Sequence, residues 1–162
     1  MEQINDTIVV TKEAYRAIGL KWEGTFAEAG AGGIRRIHEQ LRERMREIPQ
    51  PASMTHFYGL SYQAYPGNAG FVHYAVVETT DDAGYVPEGM TAVEVPTLSY
   101  AKCEHAKGQS IDKSYRNVYE WIERQGYAAV SPGELTHCEI YSLSRDPYDP
   151  DPEFTIMIPI ER

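Results

Sequence analysis

The chain has 162 residues, of which 42% are hydrophobic, and its formal net charge at pH 7 is −9. This length predicts a single domain, and the apolar fraction is ordinary for a globular protein. The acidic balance argues against direct nucleic-acid binding and mildly favours cationic ligands or basic partner surfaces. No apolar run is long enough to cross a membrane and no signal pattern opens the chain, so we expect a cytoplasmic protein without a membrane partner.

The first half of the chain predicts two strands, a helix and two further strands. Alternating apolar residues indicate strands near 7–10 and 17–23, and one apolar stripe predicts a helix over 34–47. Strands over 56–62 and 71–78 follow and are separated by turn residues.

The second half repeats this order after a polar connector. Ser110 is a typical N-cap for its helix, and Gly126 is a typical residue to end it. The predicted elements are strands over 91–95 and 98–104, a helix over 111–125, and strands over 136–143 and 154–160.

The two halves superpose without a gap from Ile18 to Tyr62 after a shift of 81 residues, which is the separation of Glu23 from Glu104. The shift also aligns the apolar stripes of the two helices. We therefore predict an α+β fold of duplicated β-α-β-β units with pseudo-twofold symmetry. In this fold an antiparallel sheet carries two helices on one face and a ligand cleft on the other. The single domain spans 1–162, with repeats over about 7–80 and 91–162.

Glu139 and Tyr141 share one face of their predicted strand because side chains alternate along a strand. The shift places Tyr58 at the position of Glu139, so both strands are expected to present these residues to one surface. A carboxylate among aromatic rings suits a flat or cationic organic ligand. An exposed glutamate and tyrosines that only pack in the core fit the same pattern. The predicted ligand-binding residues on the sheet are Glu139, Tyr141, Tyr58, Tyr62, Tyr74 and Met157.

Trp121 flanks the apolar stripe of the second predicted helix. From that position its ring either leans over the edge of the cleft or packs between the helix and the sheet. We include Trp121 among the predicted ligand-binding residues, with both placements open.

Cysteine and histidine residues do not predict a metal site. Cys138 lies between His137 and Glu139 along one strand, so it points to the opposite face. Neither cysteine has CxxC spacing, and four convergent ligands are not visible. The sequence also lacks nucleophile-elbow and phosphate-loop motifs. We expect no bound metal and no cofactor.

Five stretches, in their order and spacing, carry a resemblance to a known family. They are Val95-Pro96, Ser99 to Gly108, Tyr115 to Ile122, Cys138 to Tyr141, and Ile156 to Ile160. Through them, nearly all of the chain resembles the GyrI-like small-molecule-binding family, also described as the effector-binding domain of bacterial transcription activators. The resemblance implies a duplicated β-α-β-β fold, a buried pocket glutamate at Glu139, and aromatic pocket walls at Tyr58, Tyr74, Trp121 and Tyr141.

From its length we expect no fused DNA-binding domain, so the chain resembles the stand-alone members, for which the family implies three functions. The first is the binding of lipophilic aromatic or cationic small molecules, for sequestration or sensing. The second is hydrolysis of cyclopropane-bearing genotoxins with Glu139 as general base, so the sequence leaves enzyme activity open. The third is inhibition of DNA gyrase through an acidic surface. The expected partner is a small organic ligand, and any protein partner stays unidentified.

Overall fold

A computed structural model describes residues 3–80, 84–146 and 149–162 of the chain. The described residues form nine strands and two helices of more than ten residues. The strands are β1 (Thr7–Lys12), β2 (Tyr15–Gly24), β3 (His56–Tyr62), β4 (Phe71–Thr79), β5 (Thr91–Val95), β6 (Leu98–His105), β7 (Ala128–Ala129), β8 (Leu135–Ser142) and β9 (Phe154–Glu161), and the helices are α1 (Ile34–Arg44) and α2 (Ile111–Arg124).

Both helices begin and end close to their predicted bounds. The Oγ atom of Ser110 accepts a hydrogen bond from the backbone N–H of Lys113 at 3.3 Å, which caps the start of α2. Gly126 follows the helix with φ of 81°, a conformation that favours glycine. The predicted end of α1 is a separate 3₁₀ turn, Met45–Glu47. A capped helical turn, Phe26–Glu28, and a π-helical segment, Ala29–Gly33, lead into α1 and were not predicted.

The strands form one antiparallel sheet in the order β1-β6-β9-β8-β3-β4-β2-β5, and β7 pairs with β9. Each half of the chain contributes a long strand, a helix and a strand pair, and β3 and β8 join the halves at the centre. Both helices pack on the same face of the sheet, α1 over β2 and β4 and α2 over β6 and β9. The predicted α+β fold class is confirmed.

The sheet is strongly curved, with the helices outside the curve. Two residues link β1 to β2, and two link β5 to β6. The two strands of each linked pair nevertheless lie near opposite ends of the strand order, so the sheet must curve to bring these ends together. Where the ends of the sheet approach each other, Lys12 Nζ of β1 lies 2.7 Å from Glu78 Oε1 of β4. The concave face is filled by its own side chains, among them the buried Leu60, Tyr100 and Met157. The ends of the sheet therefore cover a core on the face that carries no helix.

The predicted equivalence of Tyr58 and Glu139 is wrong by one residue, because the two side chains lie on opposite faces of the sheet. Glu139 pairs with Gly59, and Tyr58 pairs with Ile140. The shift of 81 residues correctly relates β2 to β6, because the equivalent residues Leu20 and Ala101 both face helices. The separation between equivalent residues changes by one before β3 and β8. A change of one residue moves every side chain of a strand to the other face.

Candidate functional site

Glu139 lies on the helix-bearing face of β8, between the side chains of two tyrosines. The Tyr141 hydroxyl donates to Glu139 Oε1 at 2.5 Å, and the Tyr115 hydroxyl from α2 donates to Glu139 Oε2. Burial, and then the charge of Glu139, raise the pKa of both tyrosines well above the usual value, so both hydroxyls remain protonated donors. No Lys or Arg forms an ion pair with Glu139 within the described ranges 3–80, 84–146 and 149–162. Glu139 is therefore a carboxylate held by neutral donors.

The ring of Tyr141 connects the two halves of the helix-bearing face. It stacks on Phe57 at 5.2 Å between ring centroids and on Phe154 at 5.4 Å. His38 of α1 contacts the same ring at 4.7 Å. Tyr141 consequently packs against the apolar cores beneath both helices.

A cleft of about 170 Å³ opens beside Tyr141, between α1 and the segment that follows β8. Its inner wall contains Ile34, His38, Phe57 and Tyr141, and charged side chains surround its mouth. A cavity of about 150 Å³ holds one benzene ring, so this space accommodates a single aromatic ring. Glu139 lies behind Tyr141 and does not line the cleft. A ligand that contacts the carboxylate must therefore displace a tyrosine side chain.

A buried hydrogen-bonded chain of three side chains runs beneath the cleft. His38 Nε2 and His73 Nε2 are 2.9 Å apart, and His73 Nδ1 is 3.0 Å from Ser61 Oγ. Burial lowers the pKa of His38 to about 3 and, with smaller contributions from His38 and His137, also lowers the pKa of His73. Both imidazoles are therefore neutral at pH 7, and one of the two Nε2 atoms carries a proton that the other accepts.

The neutral histidines predict that the protein loses stability in mild acid. An unfolded histidine binds a proton below about pH 6.5, whereas folded His38 does so only near pH 3. Stability is therefore fully present above the unfolded pKa and falls as pH drops towards the folded pKa. For His38 alone we expect a loss of about 1.4 kcal/mol per pH unit below about pH 6.5.

Urea unfolding at about pH 7, 6 and 5 measures this slope. His38→Gln is expected to lower the slope by about 1.4 kcal/mol per pH unit. His56→Gln is the matched control, because His56 is already exposed in the folded protein. A slope that is equal in wild type and His38→Gln would contradict a neutral buried His38.

The structure divides the predicted ligand-binding residues between two faces of the sheet. Glu139 and Tyr141 face the helices, as does Phe57. Trp121 of α2 packs against Tyr127, at 6.1 Å between ring centroids, and does not line the cleft. The predicted common surface is wrong because the repeat shift places the side chains of β8 on the wrong face. The residues on the concave face are Tyr58, Tyr62, Tyr74 and Met157.

Sequence reasoning missed three side chains of the site. Tyr115 and His38 both lie along the apolar stripes of their helices. Tyr115 was interpreted as a packing residue of that stripe, and His38 was not considered. A buried tyrosine hydroxyl or imidazole requires a hydrogen-bond partner, and that requirement was the available signal. Phe57 lies on the helix-bearing face of β3 and was not named among the predicted ligand-binding residues.

Comparisons with known proteins agree with this architecture. The sequence profile of the GyrI-like small molecule binding domain matches residues 6–161. The transcriptional regulator BrlR of Pseudomonas aeruginosa is 26% identical over 155 residues, which cover 94% of this chain and 54% of BrlR. The chain thus spans about half the length of this relative.

Solved structures show the same fold at low sequence identity. The crystal structure of the EcmrR C-terminal domain superposes with a TM-score of 0.71 at 14% identity, covering 99% of each chain. The structure of SAV2435 bound to tetraphenylphosphonium superposes with a TM-score of 0.68 at 13% identity, covering 96% of this chain and 94% of SAV2435. No helix of the described residues is long and apolar enough to cross a membrane. On the profile match over nearly its whole length, the chain belongs to the GyrI-like family of small-molecule-binding domains.

Proposed function

We propose that the cleft beside Tyr141 binds a lipophilic, aromatic organic cation, with Glu139 as its counter-charge. The observation that carries this proposal is the carboxylate of Glu139, which accepts hydrogen bonds from two tyrosines and has no cationic partner in the described part of the chain. A partly buried charge without an ion partner attracts an ion of opposite sign strongly, because little water screens the interaction.

The aromatic wall supplies the second part of the interaction. Phe57, Tyr141 and His38 present rings to the cleft, and rings bind a flat ligand by apolar contact and by cation–π attraction. Movement of the Tyr141 ring would enlarge the cleft and expose Glu139 in one step. The ligand then replaces the apolar contacts of that ring, which keeps the cost of opening small.

The comparisons support the ligand class without assigning it. SAV2435 has been solved with tetraphenylphosphonium, a bulky aromatic cation, and shares this fold. BrlR is a transcriptional regulator, so effector sensing is a role consistent with binding in this chain. Hydrolysis is less consistent with the geometry, because both oxygens of Glu139 accept a tyrosine hydrogen bond and the carboxylate does not line the cleft where a substrate would lie.

Calorimetric titration with two matched compounds tests the proposal. Tetraphenylphosphonium is expected to bind with a dissociation constant in the micromolar range, about −8 kcal/mol. Triphenylphosphine oxide, which carries phenyl rings but no net charge, is expected to bind at least about tenfold more weakly. Equal affinities for the two compounds would contradict the role of Glu139 as a counter-charge. Absence of binding by both compounds would refute the proposal.

A further inference from the structure

His105, the last residue of β6, has a buried nitrogen without a hydrogen-bond partner. The side chain is 2% exposed, and its ring packs at a tilt against Phe154, with 4.9 Å between the centroids. Its Nε2 atom has no partner among the described residues. Buried polar groups are nearly always hydrogen-bonded, so an unpaired one indicates a missing partner.

The contacts of the other ring nitrogen determine where the imidazole carries its hydrogen. His105 Nδ1 lies 2.7 Å from Ser114 Oγ, and Ser114 Oγ accepts a hydrogen bond from Gln3 Nε2 at 2.8 Å. The Ser114 hydroxyl hydrogen is therefore directed to His105 Nδ1, which accepts it. Burial lowers the pKa of His105, so the ring is neutral and its single hydrogen is on Nε2. His105 thus presents an unused N–H donor.

A second cavity adjoins the His105 side chain where β8 and β9 separate. The two strands pair only over Cys138–Ile140 and Thr155–Met157, and beyond that ladder a notch of about 350 Å³ opens in the sheet. His105 and Phe154 line this notch. Three further residues line both the notch and the cleft beside Tyr141, namely Ser142, Arg145 and Glu153.

The rings and the shared wall place the notch next to the proposed binding site. Tyr141 stacks on Phe154, and Phe154 packs at a tilt against His105, so two ring contacts separate the His105 ring from the cleft. Glu104 also lines the notch, whereas the charge of Glu153 there is balanced by Arg145, so the lining offers an anionic group no unpaired Lys or Arg among the described residues. A neutral N–H donor between carboxylates suits an uncharged acceptor oxygen.

We propose that the notch is a second ligand subsite, in which His105 Nε2–H donates to an uncharged acceptor oxygen, such as a ketone, on a side arm of the ligand. This inference rests on the proposed function, because the aromatic cationic body of that ligand occupies the cleft. The arm passes the Arg145–Glu153 ion pair, which lies on the wall shared by the two cavities. His105 is then a specificity-determining residue that selects among aromatic cations.

Two triphenylphosphonium ions that differ only at the end of one alkyl arm test the subsite. One arm ends in a methyl ketone, and the other replaces the ketone oxygen by hydrogens. The wild-type protein is expected to bind the ketone ion about tenfold more tightly, the effect of one hydrogen bond to a buried donor. His105→Phe is expected to abolish this preference and to leave tetraphenylphosphonium affinity unchanged. His56→Phe, a change at another residue of the notch whose Nδ1 already pairs with Thr55, is expected to retain the preference.

The outcomes separate this subsite from the function on which it rests. Equal binding of the two ions by wild type, with tetraphenylphosphonium still bound, overturns the subsite alone. Failure of all three cations to bind overturns both proposals. If His105→Phe does not fold, nitrogen NMR of the wild-type imidazole decides: hydrogen on Nε2, with its signal shifted by the ketone ion only, supports the subsite. Hydrogen on Nδ1, or an equal response to both ions, refutes it.

Discussion

Replacement of Glu139 by glutamine is expected to weaken tetraphenylphosphonium binding by roughly 100-fold, or about 3 kcal/mol. At about 5 Å, and with an effective dielectric constant of about 20, two opposite unit charges attract by about 3 kcal/mol. The amide has the same shape and still forms hydrogen bonds with the hydroxyls of Tyr115 and Tyr141, so the change removes mainly charge. Binding of triphenylphosphine oxide is expected to change by less than about threefold.

Glu78→Gln is the matched control for this prediction, because Glu78 is a carboxylate of the concave face. It pairs with Lys12 and accepts a hydrogen bond from the Tyr58 hydroxyl at 3.3 Å. If the ligand binds on the helix-bearing face, Glu78→Gln leaves the affinity for tetraphenylphosphonium within about threefold of wild type. A large loss in Glu78→Gln with little loss in Glu139→Gln would move the site to the concave face, where Tyr58, Tyr62 and Tyr74 lie.

The positions of the strands and helices followed from local patterns that the fold preserves. The bounds of β3 and β5 agree with prediction at both ends, and α2 differs by one residue. Alternation, apolar stripes and caps act within a few residues, so each is visible in the sequence. The resemblance of stretches such as Cys138 to Tyr141 then gave the family. The structure places Glu139 partly buried between two tyrosines but outside the lining of the cleft.

The composition of the site depended on register, which local patterns do not fix. An alignment of two repeats can be offset by one residue and still match strands with strands, yet the offset exchanges the two faces. That is why Tyr58 was grouped with Glu139, although the residue that pairs with Glu139 across the strands is Gly59. The absence of a side chain at Gly59 leaves space for the rings of His73 and Tyr141, which a Cβ atom there would approach at 2.8 Å and 3.3 Å. A glycine in the central strand was thus the available sign of a crowded aromatic layer.

Gly19→Ala is expected to lower the free energy of unfolding by at least about 3 kcal/mol. A Cβ atom at Gly19 of β2 would lie 1.9 Å from the carbonyl oxygen of Ala75 and 2.7 Å from Cα of Val76. Both contacts are with the backbone of β4, so relief requires that the β2–β4 ladder separate. Side-chain rotation cannot relieve a clash of this kind.

Urea unfolding of Gly19→Ala and Gly30→Ala measures this effect against a matched change. A Cβ atom at Gly30 would meet nothing within 4 Å, so Gly30→Ala is expected to be neutral or to stabilise by up to about 1 kcal/mol. The adjacent residues Ile18 and Leu20 support α1, which carries His38 into the cleft. Displacement of β2 is therefore expected to weaken tetraphenylphosphonium binding as well. A Gly19→Ala protein within about 1 kcal/mol of wild type would show that β2 and β4 do not approach this closely.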